Sequence, residues 1–177
     1  MTPDEPAVLL TEETIRTRVA EMARRISADY AGVEELLLVG ILRGCFIFLA
    51  DLSRLLTVPR SVDFIAVSSY ATSATPSGAV RLIMDLRTEI AGKHVLIVDD
   101  IVDTGYTLQY LFNALKPRMP ASLKTCVLLR KPAPAPLTMV SEIDYLGFDI
   151  PDIWVVGYGL DYADRYRTLP YIATVKA

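Results

Sequence analysis

Two acidic residues and the polar loop that follows them are the part of this sequence most suited to chemistry. The acids, Asp99 and Asp100, come directly after a short apolar run. A loop then begins at Asp103 and continues with small or hydroxyl-bearing residues: Thr104, Gly105, Tyr106 and Thr107. Consecutive backbone N–H groups near a helix start, together with threonine hydroxyls, suit a phosphate monoester.

The acids have more than one chemical use. Carboxylates at the end of a strand can accept hydrogen bonds from ribose hydroxyls, or help to hold Mg²⁺ through water. Because consecutive strand residues point to opposite faces, at least one of Asp99 and Asp100 should face a ligand. Asp103 can be read as a general base, as a helix cap or as a solvated loop residue. Taken alone, these residues favour a cap or a solvated loop residue over a catalytic role.

A buried strand and a helix are expected to position this loop. Residues 95–98 are Val-Leu-Ile-Val, an apolar run typical of a parallel strand covered on both faces. The apolar pattern over residues 107–116 predicts a helix after the loop. Because ligands of open α/β sheets bind at the carboxyl ends of the strands, the stretch predicts a ligand site at that edge.

The rest of the chain repeats the order of strand, turn and helix. Thr11 is the predicted N-cap of a helix that runs to about residue 30. Further strands are predicted over residues 35–41, 61–69, 80–85, 122–129, 143–148 and 153–157, and a further helix over 45–56. The alternation predicts an α/β fold in one domain, a Rossmann-like parallel sheet flanked by helices. Both ends of the chain are expected to build a peripheral cap.

Two other features have a functional and a purely structural interpretation. Arg43, in the turn after the first predicted strand, is either a solvated loop charge or a phosphate-side residue at the same sheet edge as Asp99. Residues 70–79 are small and polar, with Pro and Gly, and predict a mobile loop. His94, the single histidine, starts the central strand and is interpreted as structural.

Composition limits the classes of protein that this chain can represent. The hydrophobic fraction is 52%, yet no apolar run approaches the roughly 18 residues of a membrane span, and no signal peptide is visible. Cys45 and Cys126 lie in apolar runs, which favours buried reduced thiols and a cytoplasmic protein. The net charge of −3 argues against general nucleic-acid binding.

One alternative family shares the acidic strand. The run over residues 95–100 also resembles the first strand of response-regulator receivers, whose acids bind Mg²⁺ beside a phosphorylated aspartate. In receivers that acidic pair lies near the start of the domain, whereas here only about 80 residues follow it. The loop over residues 103–107 is also foreign to receivers, so this alternative is disfavoured.

The whole stretch resembles the phosphoribosyl-pyrophosphate (PRPP) signature of the type I phosphoribosyltransferases. That signature is an apolar strand, two acids, two apolar residues and then Asp-Thr/Ser-Gly-x-Thr. Further blocks occur in the order found in bacterial hypoxanthine (hypoxanthine-guanine) phosphoribosyltransferases: Val-Gly-Ile-Leu-Arg-Gly at 39–44, Leu-Leu-Arg-Lys-Pro at 128–132 and Val-Val-Gly-Tyr-Gly-Leu-Asp-Tyr at 155–162. The resemblance covers about residues 10–175. It implies the fold of that family, with a hood from about 1–12 and 131–177.

The resemblance implies a reaction and a ribose-phosphate site. The family transfers the 5-phosphoribosyl group of PRPP to N9 of hypoxanthine or guanine, giving IMP or GMP and pyrophosphate, with Mg²⁺. The loop from Asp103 to Thr107 is then the 5′-phosphate site, and Asp99 and Asp100 face the ribose hydroxyls. The family usually has Glu where this chain has Asp99. Asp103 becomes the expected general base, which takes the purine N7 proton.

The resemblance also assigns a purine site near the end of the chain. Lys131 matches the lysine that donates a hydrogen bond to the purine O6 atom, which favours 6-oxopurines over adenine. Trp154 matches the aromatic residue that stacks on the base, and a core tryptophan is the less favoured structural alternative. The backbone carbonyls of Val155 and Asp161 would meet the other edge of the purine. The Asp161 side chain, with Asp99 and Asp100, is the implied metal ligand set.

A pyrophosphate site and a closing loop complete the implied assignments. Arg43 and Gly44 match the turn that binds pyrophosphate, where the peptide bond before the basic residue can be cis. Arg167 matches a late arginine on the same side. Ser69 and Tyr70 begin the loop that closes over PRPP in the family and excludes water.

The sequence does not decide between hypoxanthine and guanine, and xanthine is a less favoured substrate. The family implies a homodimer or a homotetramer. A regulatory protein that senses PRPP or a nucleotide without catalysis is a second class. Such proteins usually carry a basic patch, and the isoelectric point near 5.2 argues against one.

Overall fold

The computed structural model describes residues 6–69, 80–132 and 143–175. The elements run in the order β1 (Ala7–Leu10), α1 (Glu12–Asp29), β2 (Leu36–Leu42), α2 (Phe46–Leu55), β3 (Arg60–Ser69), β4 (Val80–Met84), β5 (His94–Val102), α3 (Tyr106–Leu115), a 3-10 turn (Lys116–Arg118), β6 (Ser122–Arg130), β7 (Tyr145–Asp149), β8 (Val155–Val156) and β9 (Ile172–Thr174). The predicted mobile loop over 70–79, with Tyr70, lies outside the described residues. Within them, no helix is long and apolar enough to cross a membrane.

The large sheet has six strands in the order β4-β3-β2-β5-β6-β7. Neighbouring strands are parallel except for β4, which pairs antiparallel with β3. β5 lies near the centre and pairs with β2 and β6 on its two sides. This arrangement, with helices on the faces, confirms the predicted α/β fold.

The central strand is apolar because both of its faces are covered. Leu96 and Val98 pack into the core on the side of α1 and α2, and Val95 and Ile97 pack into the core on the side of α3. All four side chains are fully buried. The high hydrophobic fraction of the sequence therefore reflects a sheet covered on both faces rather than a membrane segment.

The first long helix follows its sequence signals. The Thr11 side chain accepts a hydrogen bond from the Thr14 backbone N–H at 3.2 Å, and Glu12 and Glu13 lie in the first turn. The predicted N-cap is confirmed, and the acids are placed where the helix dipole favours them.

Both ends of the chain form a second sheet, which is the cap. It is antiparallel, with the order β1-β9-β8, so β9 pairs with the N-terminal strand on one side and β8 on the other. The N-terminal strand β1 begins at Ala7, where β9 supplies its partner. One expectation needs correction. The expected hood range of 131–177 includes β7, which instead extends the edge of the large sheet.

The two cysteines are buried and free, as predicted. Burial raises the pKa of both thiols, and the nearby carboxylates of Asp99 and Asp100 raise the pKa of Cys45 further. Both thiols therefore stay protonated and behave as small apolar side chains.

Candidate active site

A cleft of about 1180 Å³ lies at the carboxyl ends of the parallel strands, beside the cap. Its charged lining residues are far apart in the sequence: Arg43, Asp100, Asp103, Lys131, Asp152, Asp161 and Arg167. The first five lie at or just after the carboxyl ends of strands of the large sheet, which meet at one edge, whereas Asp161 and Arg167 come from the cap segment. The cleft therefore lies where the sequence predicted a ligand site.

The start of α3 is open toward this edge. The helix is preceded by Gly105 with a φ of +85°, and no side chain caps it. Its first helical hydrogen bond runs from the Gln109 N–H to the Gly105 carbonyl at 3.0 Å. The earlier N–H groups thus lack an intrahelical acceptor, as at every helix start. Asp103 is exposed and lines the cleft, so the helix-cap interpretation of Asp103 is wrong.

The other loop residues leave room for an anion. Thr104 and Tyr106 are exposed, Thr107 is half-buried, and only Gly105 is buried. Backbone N–H groups at a helix start and two nearby hydroxyls are the donors that a phosphate needs. Their role in binding a 5′-phosphate stays a prediction.

The acidic pair is buried to different degrees. Asp99 is 5% exposed and does not line the cleft, whereas Asp100 is half-buried and does. Burial, and then the charge of Asp100, raises the pKa of Asp99 well above its ordinary value. Burial also raises the pKa of Asp100, against the opposing effects of Asp99 and of the positive charge of Arg167. The Asp100 N–H donates to Asp99 Oδ1 at 3.1 Å.

The turn after β2 lies against this pair. The peptide bond between Leu42 and Arg43 is cis, a conformation that the resemblance allowed but that the sequence did not decide. Gly44 has no space for a side chain, because a Cβ there would stand 1.7 Å from Asp100 Oδ2. This close approach explains why position 44 is a glycine, and it places the turn directly beside the Asp100 carboxylate.

Two arginines and two acids form a charge network at this end of the cleft. Arg43 Nη2 lies 2.7 Å from Asp164 Oδ1. Arg167 Nη2 lies 2.7 Å from Asp161 Oδ1 and 3.2 Å from Asp164 Oδ1, and its Nη1 donates to the Gly159 carbonyl at 2.8 Å. The structure thus brings together the two arginines that were predicted to bind pyrophosphate.

A lysine and a tryptophan also line the cleft, and a tyrosine packs against the tryptophan. Lys131 Nζ lies 3.3 Å from Asp152 Oδ1 and 5.7 Å from the centre of the Trp154 ring. Trp154 and Tyr162 meet edge to face at 6.3 Å. Trp154 is 57% exposed, so the interpretation as a core tryptophan is wrong. Val155 lies beside it as the first residue of β8 and also lines the cleft.

The carboxylates fit a magnesium ion only in part. Within the described ranges, no group of three or more acidic, histidine or cysteine side chains is arranged to hold a metal. Mg²⁺ is commonly held by one or two carboxylates together with substrate phosphates, which such a site would satisfy. Asp161 and Asp100 line the cleft and fit that chemistry, whereas Asp99 is buried away from it.

The remaining predicted residues lie elsewhere. His94 is at the start of β5, the end opposite the cleft, where its Nδ1 atom lies 2.8 Å from Ser122 Oγ and its ring contacts Tyr30. This placement confirms its structural interpretation. Ser69 is the last residue of β3, directly before the residues that are not described.

Sequence reasoning missed two acids at the site, Asp152 and Asp164. Both pair with residues that had been assigned roles, Lys131 and Arg43 respectively. Asp152 lies two residues before Trp154, and Asp164 lies three residues after Asp161. The clustering of acids near basic residues was the available signal, but it does not reveal which pairs form.

Comparison with known proteins gives one consistent result. The family model described as phosphoribosyl transferase domain matches residues 9–163. The chain is 47% identical over 172 residues to the hypoxanthine-guanine phosphoribosyltransferase of Dictyostelium discoideum, covering 96% of this chain and 94% of the relative. It is 44% identical over 169 residues to the hypoxanthine phosphoribosyltransferase of Escherichia coli, with 95% and 94% covered.

Solved structures give the same result for the fold. The hypoxanthine-guanine phosphoribosyltransferase of Bacillus anthracis has a TM-score of 0.89 at 40% identity, covering 97% of this chain and all of that chain (100%). The hypoxanthine phosphoribosyltransferase of Trypanosoma cruzi in complex with the product IMP has a TM-score of 0.85 at 47% identity, covering 96% and 93%. The similarity thus extends over nearly the whole length of each chain.

Proposed function

Since this chain belongs to the phosphoribosyltransferase family, we propose that it is a purine-salvage enzyme that transfers the 5-phosphoribosyl group of PRPP to hypoxanthine. One observation carries the proposal. A single cleft is lined by an arginine pair, an acid beside an open helix start, and a lysine over an exposed tryptophan. Those three groups suit pyrophosphate, ribose 5-phosphate and a 6-oxopurine in turn. The IMP complex of the Trypanosoma cruzi relative supports the product assignment.

The chemistry requires charge to be stabilised as the old bond breaks. The bond from ribose C1 to the pyrophosphate oxygen breaks, the bond from C1 to purine N9 forms, and the ribose becomes cation-like between the two events. Arg43 and Arg167 balance the charge of the departing pyrophosphate. Asp103 accepts the proton from purine N7, so that the purine ring of the product nucleotide carries no positive charge. Thr104 and Thr107 hold the 5′-phosphate with the backbone N–H groups of the loop.

Recognition of the base follows from the lysine and tryptophan. Lys131 donates to O6 of hypoxanthine or guanine, and an amino group at that position leaves the ammonium without an acceptor. Trp154 stacks on the purine ring with its exposed face. We propose guanine as a second substrate because the same contacts serve both bases, and several relatives are named hypoxanthine-guanine phosphoribosyltransferases.

We propose Mg²⁺ as the cofactor, held by Asp161 and the phosphates of PRPP, with Asp100 nearby. When bound, the ion supplies positive charge that offsets the diphosphate. The two arginines alone carry less charge than a diphosphate does, which supports a need for a cation.

We also propose that the protein is a homo-oligomer in the cytoplasm. Large apolar side chains are exposed on α2 and on the β3–β4 side of the sheet, including Phe46 at 42%, Val62 at 46% and Ile83 at 60%. Contact with a second copy of the chain would remove such side chains from water. Two buried, free cysteines agree with a reducing compartment.

A substrate panel tests the activity. Purified protein is incubated with PRPP, Mg²⁺ and one of four bases: hypoxanthine, guanine, xanthine or adenine. We expect IMP and pyrophosphate from hypoxanthine, GMP from guanine, and no product from adenine. Addition of EDTA should stop the reaction. PRPP binding without turnover on any base would instead identify a sensor on the same fold.

A further inference from the structure

One carboxylate oxygen contacts both arginines at the pyrophosphate end of the cleft. Asp164 Oδ1 lies 2.7 Å from Arg43 Nη2 and 3.2 Å from Arg167 Nη2. Oxygen atoms of a diphosphate accept hydrogen bonds from the same guanidinium groups. We propose that Asp164 competes with the diphosphate for these arginines and thereby sets the affinity for PRPP and pyrophosphate. This inference rests on the proposed function, because it takes the arginines as the pyrophosphate site.

The backbone holds the Asp164 carboxylate in this position. Its N–H donates to Asp161 Oδ2 at 2.7 Å, and its φ is +60°, in the left-handed region. Ala163 and Tyr166 also have positive φ, at 51° and 73°. These residues form a tight turn that directs the side chain toward Arg43 across 121 positions of sequence. The ion pair between Asp164 and Arg43 therefore joins the cap segment to a turn of the large sheet.

The two arginines depend on Asp164 to different extents. Arg167 is also held by Asp161 Oδ1 at 2.7 Å and by the Gly159 carbonyl at 2.8 Å, and its side chain is 19% exposed. Arg43 is 69% exposed, and its ion pair within the described ranges is with Asp164. Arg43 should therefore respond most to removal of the Asp164 charge.

The ion pairs of Asp164 with the two arginines are weak enough for a diphosphate to displace the Asp164 carboxylate. The Asp164 side chain is 66% exposed, and exposed ion pairs contribute little because water and salt screen them. A diphosphate carries several negative charges and can displace one carboxylate. Asp164 also repels the incoming anion, so it should weaken binding both of PRPP and of the pyrophosphate product.

Substitution of Asp164 by Asn tests the sign of the effect. In an exposed pair, loss of the competing charge should tighten pyrophosphate binding by about two- to five-fold. We expect a lower KM for PRPP by a similar factor, with the KM for hypoxanthine unchanged. The gain should shrink at high salt. Titration calorimetry with magnesium pyrophosphate and steady-state kinetics give these values, and Asp164→Glu should return the affinity toward that of the original protein.

Glu13→Gln is the matched control. It also removes one acid from an exposed ion pair, with Arg16 at 3.4 Å on α1, and should leave pyrophosphate affinity unchanged. Weaker pyrophosphate binding by Asp164→Asn would overturn the inference, because it would mean that Asp164 orients the arginines for the ligand. Unchanged binding would also overturn it, because it would mean that Asp164 does not compete with the ligand. Should that variant fold poorly, Asp164→Ser gives the same comparison.

The result separates this inference from the proposed function. If the original protein converts hypoxanthine to IMP and Asp164→Asn does not bind pyrophosphate more tightly, only the inference fails. If the original protein neither turns over hypoxanthine nor binds pyrophosphate, both fail.

Discussion

Gly159 lies directly against the carbonyl group of Gly44: a Cβ at position 159 would stand 2.0 Å from that oxygen. Gly159 belongs to the cap segment that carries Asp161 and Arg167, whereas Gly44 belongs to the turn beside Asp100. Because Gly159 has no Cβ, the two backbones can approach more closely than any side chain at that position would allow. Gly159 therefore limits the width of the cleft where the proposed pyrophosphate site lies.

Substitution of Gly159 by Ala should separate these two segments. A displacement of about 1 Å at an active site can cost on the order of 100-fold in rate, so we expect a loss of that size in kcat/KM for PRPP. The φ of Gly159 is +104°, so part of the loss comes from backbone strain.

Gly92→Ala controls for that strain. Gly92 has a φ of +71°, but a Cβ there meets nothing within 4 Å. It should lose stability by roughly 1 kcal/mol and retain its activity. Equal loss of activity in both variants would show that strain, and not the contact with Gly44, explains the effect.

Asp103→Asn should slow the chemical step while leaving the substrate bound. The amide cannot accept the N7 proton, so kcat should fall by about 100- to 10,000-fold, the usual range for general bases. Because Asp103 is exposed and does not cap α3, the fold should be unaffected. Rapid-quench kinetics would measure the step, and calorimetry would measure PRPP affinity. A kcat that does not change would mean that another group accepts the proton.

The acidic loop and the cap differ in how well the sequence predicts them. The strand, the acids, the loop from Asp103 and the helix α3 are contiguous, so apolar patterning and turn chemistry predict their order directly. β5 nevertheless continues past the acids to Val102, because β6 pairs with it as far as Arg130. The pattern placed the end of the strand at the acids because it contains no information about the partner strand.

The missed features all depend on contacts between distant residues. β1 is four residues long, and its partner β9 lies at the other end of the chain. The ion pair between Arg43 and Asp164 joins two turns, and neither turn identifies the other. The local sequence pattern thus predicted the order of the strand, acids, loop and helix of the proposed ribose-phosphate site, whereas the acids that pair with the basic residues became visible only in the tertiary structure.

Lys131→Met should weaken purine binding specifically. The methionine has a similar length but donates no hydrogen bond, and loss of a bond to a charged group costs about 1.5–3 kcal/mol. We expect the KM for hypoxanthine to rise by about 10- to 150-fold, with little change in the KM for PRPP. Lys116→Met, on an exposed site at the end of α3, is the control. A rise in both KM values would point to a general distortion of the cleft.

Trp154 offers a direct optical probe of base binding. It is the single tryptophan of the chain and is 57% exposed, so stacking by a purine should change its fluorescence. IMP and GMP should change the emission in a saturable way, whereas pyrophosphate alone should not. Trp154→Phe removes the signal and retains an aromatic ring for turnover. If saturating IMP leaves the emission unchanged, the base does not stack there.

Asp63 should control the acid stability of the fold. Its side chain is 7% exposed and accepts backbone N–H groups from Phe64 at 2.8 Å, Arg87 at 2.9 Å and Thr88 at 2.8 Å. Burial alone would raise its pKa, but the hydrogen bonds outweigh that effect and hold the pKa below its ordinary value of 3.8. These bonds tie β3 to the segment that follows β4.

The direction of the pH effect follows from that lowered pKa. As pH falls through 3.8, the unfolded chain takes up a proton before the folded one does, so the stabilisation by Asp63 is complete above this pH and lost below it. Asp63→Asn should lower the free energy of unfolding by about 1–3 kcal/mol at pH 7. The difference from the original protein should narrow as the pH is lowered below 3.8. Urea unfolding across this range measures it, with Glu13→Gln as the exposed control. A difference that stays constant with pH would show that the packing of Asp63, rather than its charge, supports the fold.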